Sequence, residues 1–145
     1  MLPIAVNMLM QPVPTPRRLR QLGEALRRAI LEDGRDERVV VLATGGMSHQ
    51  IHGTRFGLAN ERWDRYFLEA IVNDLDALVA IPPEKIMRVA GSEAAELTMW
   101  YAMRAALGER ARHVYSFYTL PAVTGCGVVV LEPGTLRGGS PDSRR

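Results

Sequence analysis

The stretch Arg38-Val39-Val40-Val41-Leu42-Ala43-Thr44-Gly45-Gly46-Met47-Ser48-His49-Gln50 decides how the rest of the chain is read. Its first six residues are a short, β-branched apolar run without helical period, the pattern of a strand buried on both faces. Thr44-Gly45-Gly46 breaks it, because adjacent glycines reach backbone conformations closed to other residues and let a second group approach the main chain. His49 then stands just past the carboxyl end of the predicted strand, where open α/β sheets place their ligands. A glycine turn with a histidine that only packs or caps gives the same local pattern.

Upstream, Pro3 to Met10 reads as another strand, and Gln11-Pro12-Val13-Pro14 leads out of it as a stiff, extended connection. Thr15-Pro16 starts a helix, with Thr15 as N-cap and Pro16 at the first helical position. Leu19, Leu22, Leu26 and Ile30 share one stripe of that helix, which predicts a helix lying on a sheet and ending at Gly34. Strand, helix, strand makes a βαβ unit.

Downstream, Ile51 to Ala59 has no period and reads as a functional loop. Asn60 caps a helix whose stripe is Trp63, Tyr66, Phe67, Ala70 and Ile71. Leu75 to Ala80 continues to the Pro82-Pro83 break, Glu84 to Val89 is short and helical, and a long helix is predicted over Ser92–Leu107, stopped by Gly108. On it, Glu96 shares a face with Met99, Trp100 and Met103. A carboxylate among such neighbours needs a partner or a metal; an ion pair with Arg88 or Arg104 is the plainer option. His113–Tyr118 and Val128–Leu131 are predicted strands around a loop at Pro121. Residues 1–133 thus form a single α/β domain, and 134–145, rich in Gly, Ser, Pro and Arg, a disordered tail.

With 145 residues and a formal net charge of +2, the chain is one domain's worth and no polycation, so nucleic acid is not implied. The arginines at 17, 18, 20, 27 and 28 read as a solvated helix face. One cysteine, Cys126, excludes an internal disulfide and reads as a small packed thiol in a reducing compartment. No run is long enough to span a bilayer, and a cytoplasmic location is expected.

Four blocks in order carry a resemblance: Ala43-Thr44-Gly45-Gly46-Met47-Ser48-His49-Gln50, Arg55-Phe56-Gly57-Leu58-Ala59-Asn60, Gly91-Ser92-Glu93-Ala94-Ala95-Glu96-Leu97-Thr98-Met99-Trp100, and Tyr115-Ser116-Phe117-Tyr118-Thr119-Leu120-Pro121-Ala122. Over residues 3 to 133 the chain resembles the catalytic β subunit of class III extradiol ring-cleavage dioxygenases, most closely the protocatechuate 4,5-dioxygenase type. The resemblance implies the carboxyl-terminal half of that subunit's fold, a βαβ-containing sheet with flanking helices. It implies Fe(II) held by two histidines and a glutamate, with open positions for the catechol oxygens and O2. Glu96 matches the glutamate and His49 the acid/base histidine; Ser48 and Thr124 are the implied substrate contacts. Both iron-binding histidines belong to an amino-terminal half that this sequence lacks, so the iron site is incomplete here. His52, three residues past His49, is a conceivable substitute ligand; a solvent-facing loop histidine is the simpler reading, as an ordinary one is for His113. The implied partners are a catechol such as protocatechuate or gallate, O2, and a complementing amino-terminal half or small α subunit, with a homo-oligomer also compatible. The alternative is a non-catalytic remnant serving as a binding or assembly module.

Overall fold

Local chemistry starts the first helices where the sequence places them. In the computed structural model, Thr15 Oγ1 accepts the Arg18 backbone N–H at 3.3 Å, and α1 runs Pro16–Glu32. The Asn60 side chain accepts the Trp63 N–H at 3.1 Å and opens α2, Glu61–Asn73. Each cap satisfies a donor that a first helical turn leaves without a partner. Asp74 caps the short α3, Leu75–Val79, and α4 spans Pro83–Ala90. The structure describes residues 1–134 except Leu9 and Gln11, so the expected disorder of the tail lies, beyond Gly134, outside the described residues.

The single helix expected over Ser92–Leu107 is instead two elements, a 3-10 helix, Glu93–Met99, running into α5, Trp100–Ala106. With about three residues per turn, a 3-10 helix lines up positions three apart. Glu93, Glu96 and Met99 therefore share one side. Gly108, at φ +92°, follows α5 as the expected stop.

The sequence lays α1 on a sheet; the structure lays it on α5. Gly23 decides this, since a Cβ there would collide with the Ala102 carbonyl of α5. Leu19 is buried, while Leu22, Leu26 and Ile30 are half-buried. In the core, Phe67 of α2 meets Trp100 and Tyr101 of α5, with ring centroids 5.7 and 6.0 Å away. Tyr66, read as part of the same stripe, is instead exposed.

Tyr101 gives a pH prediction. Burial first, and then Tyr66, pushes its phenol well above the ordinary 10.0. The neutral form is thus favoured in the folded chain, and the unfolded chain loses its proton first. Stability is fully present below pH 10 and falls as pH rises above it. Thermal melts across that range should show a declining midpoint, less steep in Tyr101→Phe; a variant as alkali-sensitive as the native chain would contradict this.

The βαβ unit is the main correction. The sheet among the described residues is one antiparallel hairpin of β1, Ala111–Thr119, and β2, Cys126–Pro133, with an irregularity between His113 and Tyr115. Neither Arg38–Ala43 nor the described residues of Pro3–Met10 join a sheet. A strand exists through its inter-strand bonds, and no described segment forms a ladder with these two. Val39, Val40 and Leu42 are accordingly 51%, 73% and 79% exposed, although Val6, Met8 and Ala43 reach the core. The hairpin rests on α2 by one face. Val128 and Val130, read as buried, lie exposed on the other, and Cys126, read as packed, is exposed as well. The outcome is a mixed helical and β fold. No helix among the described residues is long and apolar enough to cross a membrane.

Candidate functional site

Two glycines bring the turn after Ala43 against the 3-10 helix. Gly45, at φ +150°, lies on the backbone of Glu96, where a Cβ would stand 2.6 Å from the carbonyl oxygen. Gly91, at φ +106°, lies on the backbone of His49, where a Cβ would overlap the carbonyl. The His49 N–H donates to the Ala90 carbonyl at 2.8 Å, which closes the second contact. Each chemically active residue thus rests against a glycine from the other's segment.

The consequence is a pair. His49 Nε2 lies 3.8 Å from Glu96 Oε1, and the Gly46 N–H donates to the same oxygen at 2.6 Å. Neither Arg88 nor Arg104 pairs with Glu96. Arg104 instead donates to the Gly108 and Glu109 carbonyls and closes the end of α5. His49 is nearly buried, while the Glu96 side chain is 37% exposed. His49 Nδ1 stands 2.7 Å from the Met47 carbonyl. A carbonyl oxygen only accepts, so Nδ1 carries a proton, and in the neutral form of the ring Nε2 is the nitrogen with the free lone pair.

Ser48, expected at the substrate, is turned the other way. It is fully buried; its N–H donates to Asp64 Oδ1 at 2.8 Å and its hydroxyl to Asp64 Oδ2 at 2.6 Å, while its Oγ accepts the Asn60 N–H at 2.6 Å. Tyr118 also donates to Asp64 Oδ2, at 2.9 Å. The hydroxyl is consumed in holding the turn. Thr124 lies closer to expectation: its backbone bridges His49 in antiparallel fashion, and it is half-buried.

His52 does not join the first pair. Its Nδ1 lies 2.5 Å from Glu93 Oε1 and its side chain is 75% exposed. Burial by itself would raise the Glu93 carboxyl, but the Ser92 hydroxyl, its own backbone N–H, His52 and the Ile51 backbone together hold it below the usual value. An apolar cavity lined by Met8, Pro14, Ile86 and Met87 opens beside this second pair. His113 lies on β1 and joins neither.

Among the described residues, no three histidine, cysteine or acidic side chains converge to hold a metal ion. A facial Fe(II) site needs three protein donors. Glu96 offers one, since its Oε2 makes no hydrogen bond among the described residues. The described residues therefore do not fit the ion by themselves.

Asp64 is the residue the sequence reading passed over. It stands three and seven positions before Phe67 and Ile71 on α2, a carboxylate on an apolar stripe. That is the same signal that singled out Glu96.

The chain is similar to known proteins over most of its length. Residues 1–130 match the family model described as the catalytic LigB subunit of aromatic ring-opening dioxygenase. A gallate dioxygenase of Pseudomonas putida is 41% identical over 130 residues, covering 90% of this chain and 38% of that protein. A 2,3-dihydroxyphenylpropionate/2,3-dihydroxicinnamic acid 1,2-dioxygenase from Pseudomonas putida is 27% identical, over 73% of this chain and 48% of its own length. One from Dechloromonas aromatica is 25% identical, over 73% and 47%. The chain thus spans less than half the length of these curated relatives. With a family match over nearly all its residues and a relative 41% identical over 90% of the chain, the chain belongs to the LigB family of class III extradiol dioxygenase catalytic subunits.

Proposed function

We propose that this chain is the part of an extradiol ring-cleaving dioxygenase that carries one iron-binding carboxylate, Glu96, and the acid/base histidine, His49. The observation behind this reading is the 3.8 Å approach of His49 Nε2 to Glu96 Oε1, held by two glycine contacts. The substrate is a catechol of the gallate or protocatechuate class, opened beside its two hydroxyls with both atoms of O2 entering the ring-opened product. Fe(II), when bound, supplies open positions for the catechol oxygens and O2. His49 supplies a base. Its Nδ1–H is occupied by the Met47 carbonyl, which leaves Nε2 to take a proton from a catechol hydroxyl and return it later. Thr124, tied to His49 by its backbone, borders the ring.

The two further iron ligands come from a complementing segment, on this polypeptide or another. The unpaired residues Arg38–Ala43, with Val40 and Leu42 exposed, offer it an edge for strand pairing. The purified chain alone should hold Fe(II) weakly and cleave no catechol, and a histidine-bearing complement should restore both. Tight stoichiometric iron with turnover in the isolated chain would overturn the proposal.

The same exposed apolar residues favour a second reading, a non-catalytic assembly module. Sedimentation with a hydrophobic dye tests the surface that both readings need. A compact monomer that binds no dye would exclude it.

A further inference from the structure

We propose that Asp64 is the positioning residue of this site, acting on His49 through a single peptide group. The Met47–Ser48 peptide is bonded on both sides. Its N–H, from Ser48, donates to Asp64 Oδ1 at 2.8 Å; its C=O, from Met47, accepts His49 Nδ1–H at 2.7 Å. A planar peptide points these two groups in opposite directions, so carboxylate, peptide and imidazole form one chain of hydrogen bonds. An anion at the N–H end polarises the peptide and makes its oxygen a stronger acceptor. The ring is held in one tautomer and one orientation, with Nε2 toward Glu96.

The rest of the surroundings fix Asp64 in turn. It is fully buried. Its second oxygen accepts the Ser48 hydroxyl at 2.6 Å and the Tyr118 hydroxyl at 2.9 Å. Gly125 leaves room for that oxygen, since a Cβ there would strike Oδ2, and the Gly125 N–H donates to the Ser48 carbonyl at 2.8 Å. One carboxylate therefore sets the turn bearing His49 against both α2 and the loop bearing Thr124. Of its three partners only the Ser48 N–H is an obligate donor; the Ser48 and Tyr118 hydroxyls can reverse, so an asparagine there removes the anion that polarises the peptide.

The consequence for catalysis rests on the proposed role of His49, but the positioning itself does not. The test therefore reads the ring directly, in the full chain without metal: two-bond 15N–1H spectra at a pH where His49 is neutral, with assignment aided by His52→Ala and His113→Ala. Wild type should show the single Nδ1–H tautomer. Asp64→Asn should lose that single signature and show a mixture, while Tyr118→Phe, which leaves the Ser48 N–H bond in place, should keep it. A folded Asp64→Asn with an unchanged signature, or a Tyr118→Phe with the same loss, would overturn the proposal. If Asp64→Asn does not fold, wild type still decides, since a mixture or the Nε2–H form there refutes it. Failure of ring cleavage in the complemented enzyme would count against the dioxygenase reading and leave this result standing.

Discussion

Gly91→Ala should lower the melting midpoint by ten degrees or so and disorder the His49 turn, the largest effect expected from removing or adding a single methyl group in this chain. Gly91 sits at φ +106°, ψ 156°, a region nearly reserved for glycine, and any other residue there costs about 1–3 kcal/mol in backbone strain. The added Cβ would also overlap the His49 carbonyl. Neither backbone can retreat freely, because the His49 N–H is bonded to the Ala90 carbonyl at 2.8 Å. Relief means breaking that bond and swinging the imidazole away from Glu96. Together the two terms reach roughly 3 kcal/mol or more, which in a chain of this size moves the midpoint by about 10 °C. Gly53→Ala is the control. Gly53 has φ +75°, but the nearest atom to its added Cβ is the Gln50 Nε2 at 3.7 Å, so only backbone strain of about 1 kcal/mol remains. Calorimetric melts of both variants decide the matter. Equal midpoints would mean that the contact between Gly91 and His49 carries nothing.

Glu96→Gln should leave the fold intact and remove iron from the complemented assembly. The amide oxygen can still accept the Gly46 N–H that Oε1 accepts at 2.6 Å, so the turn keeps its place. What disappears is the charge and the carboxylate donor. Losing an outer-shell partner already weakens metal sites by about 10–100-fold, and losing a donor should exceed that, with ring cleavage falling alongside. Metal content after gel filtration, read with the melting midpoint of the metal-free chain, separates the two effects. Glu93→Gln should retain iron, because Glu93 faces His52 and not His49. A Glu96→Gln assembly that keeps its full iron would assign this carboxylate a structural role only.

What was legible in the sequence follows the range of the forces involved. Caps at Thr15 and Asn60 and the stop at Gly108 act within a few residues, and all stand where expected. The hairpin strands joined by a short loop were legible for the same reason. Arg38–Ala43 was not, because its partner is a matter of distant pairing and not of β-branched composition. The 3-10 helix escaped because residues three apart share a side in either helix type; the choice is made by packing against Gly45. Within the site, the turn and the apolar stripe picked out His49 and Glu96, and the structure brings them together. The partner of the Ser48 hydroxyl was not legible, because Asp64 lies on another element.

The lone thiol of the chain has a practical use. Cys126 is exposed, and it lies two residues past Thr124, the residue whose backbone bridges His49. A maleimide fluorophore or nitroxide will couple there with no engineered cysteine and no background labelling. Such a reporter would sit close to the backbone bridge between Thr124 and His49, where arrival of a complementing segment or an aromatic diol changes its emission or its tumbling.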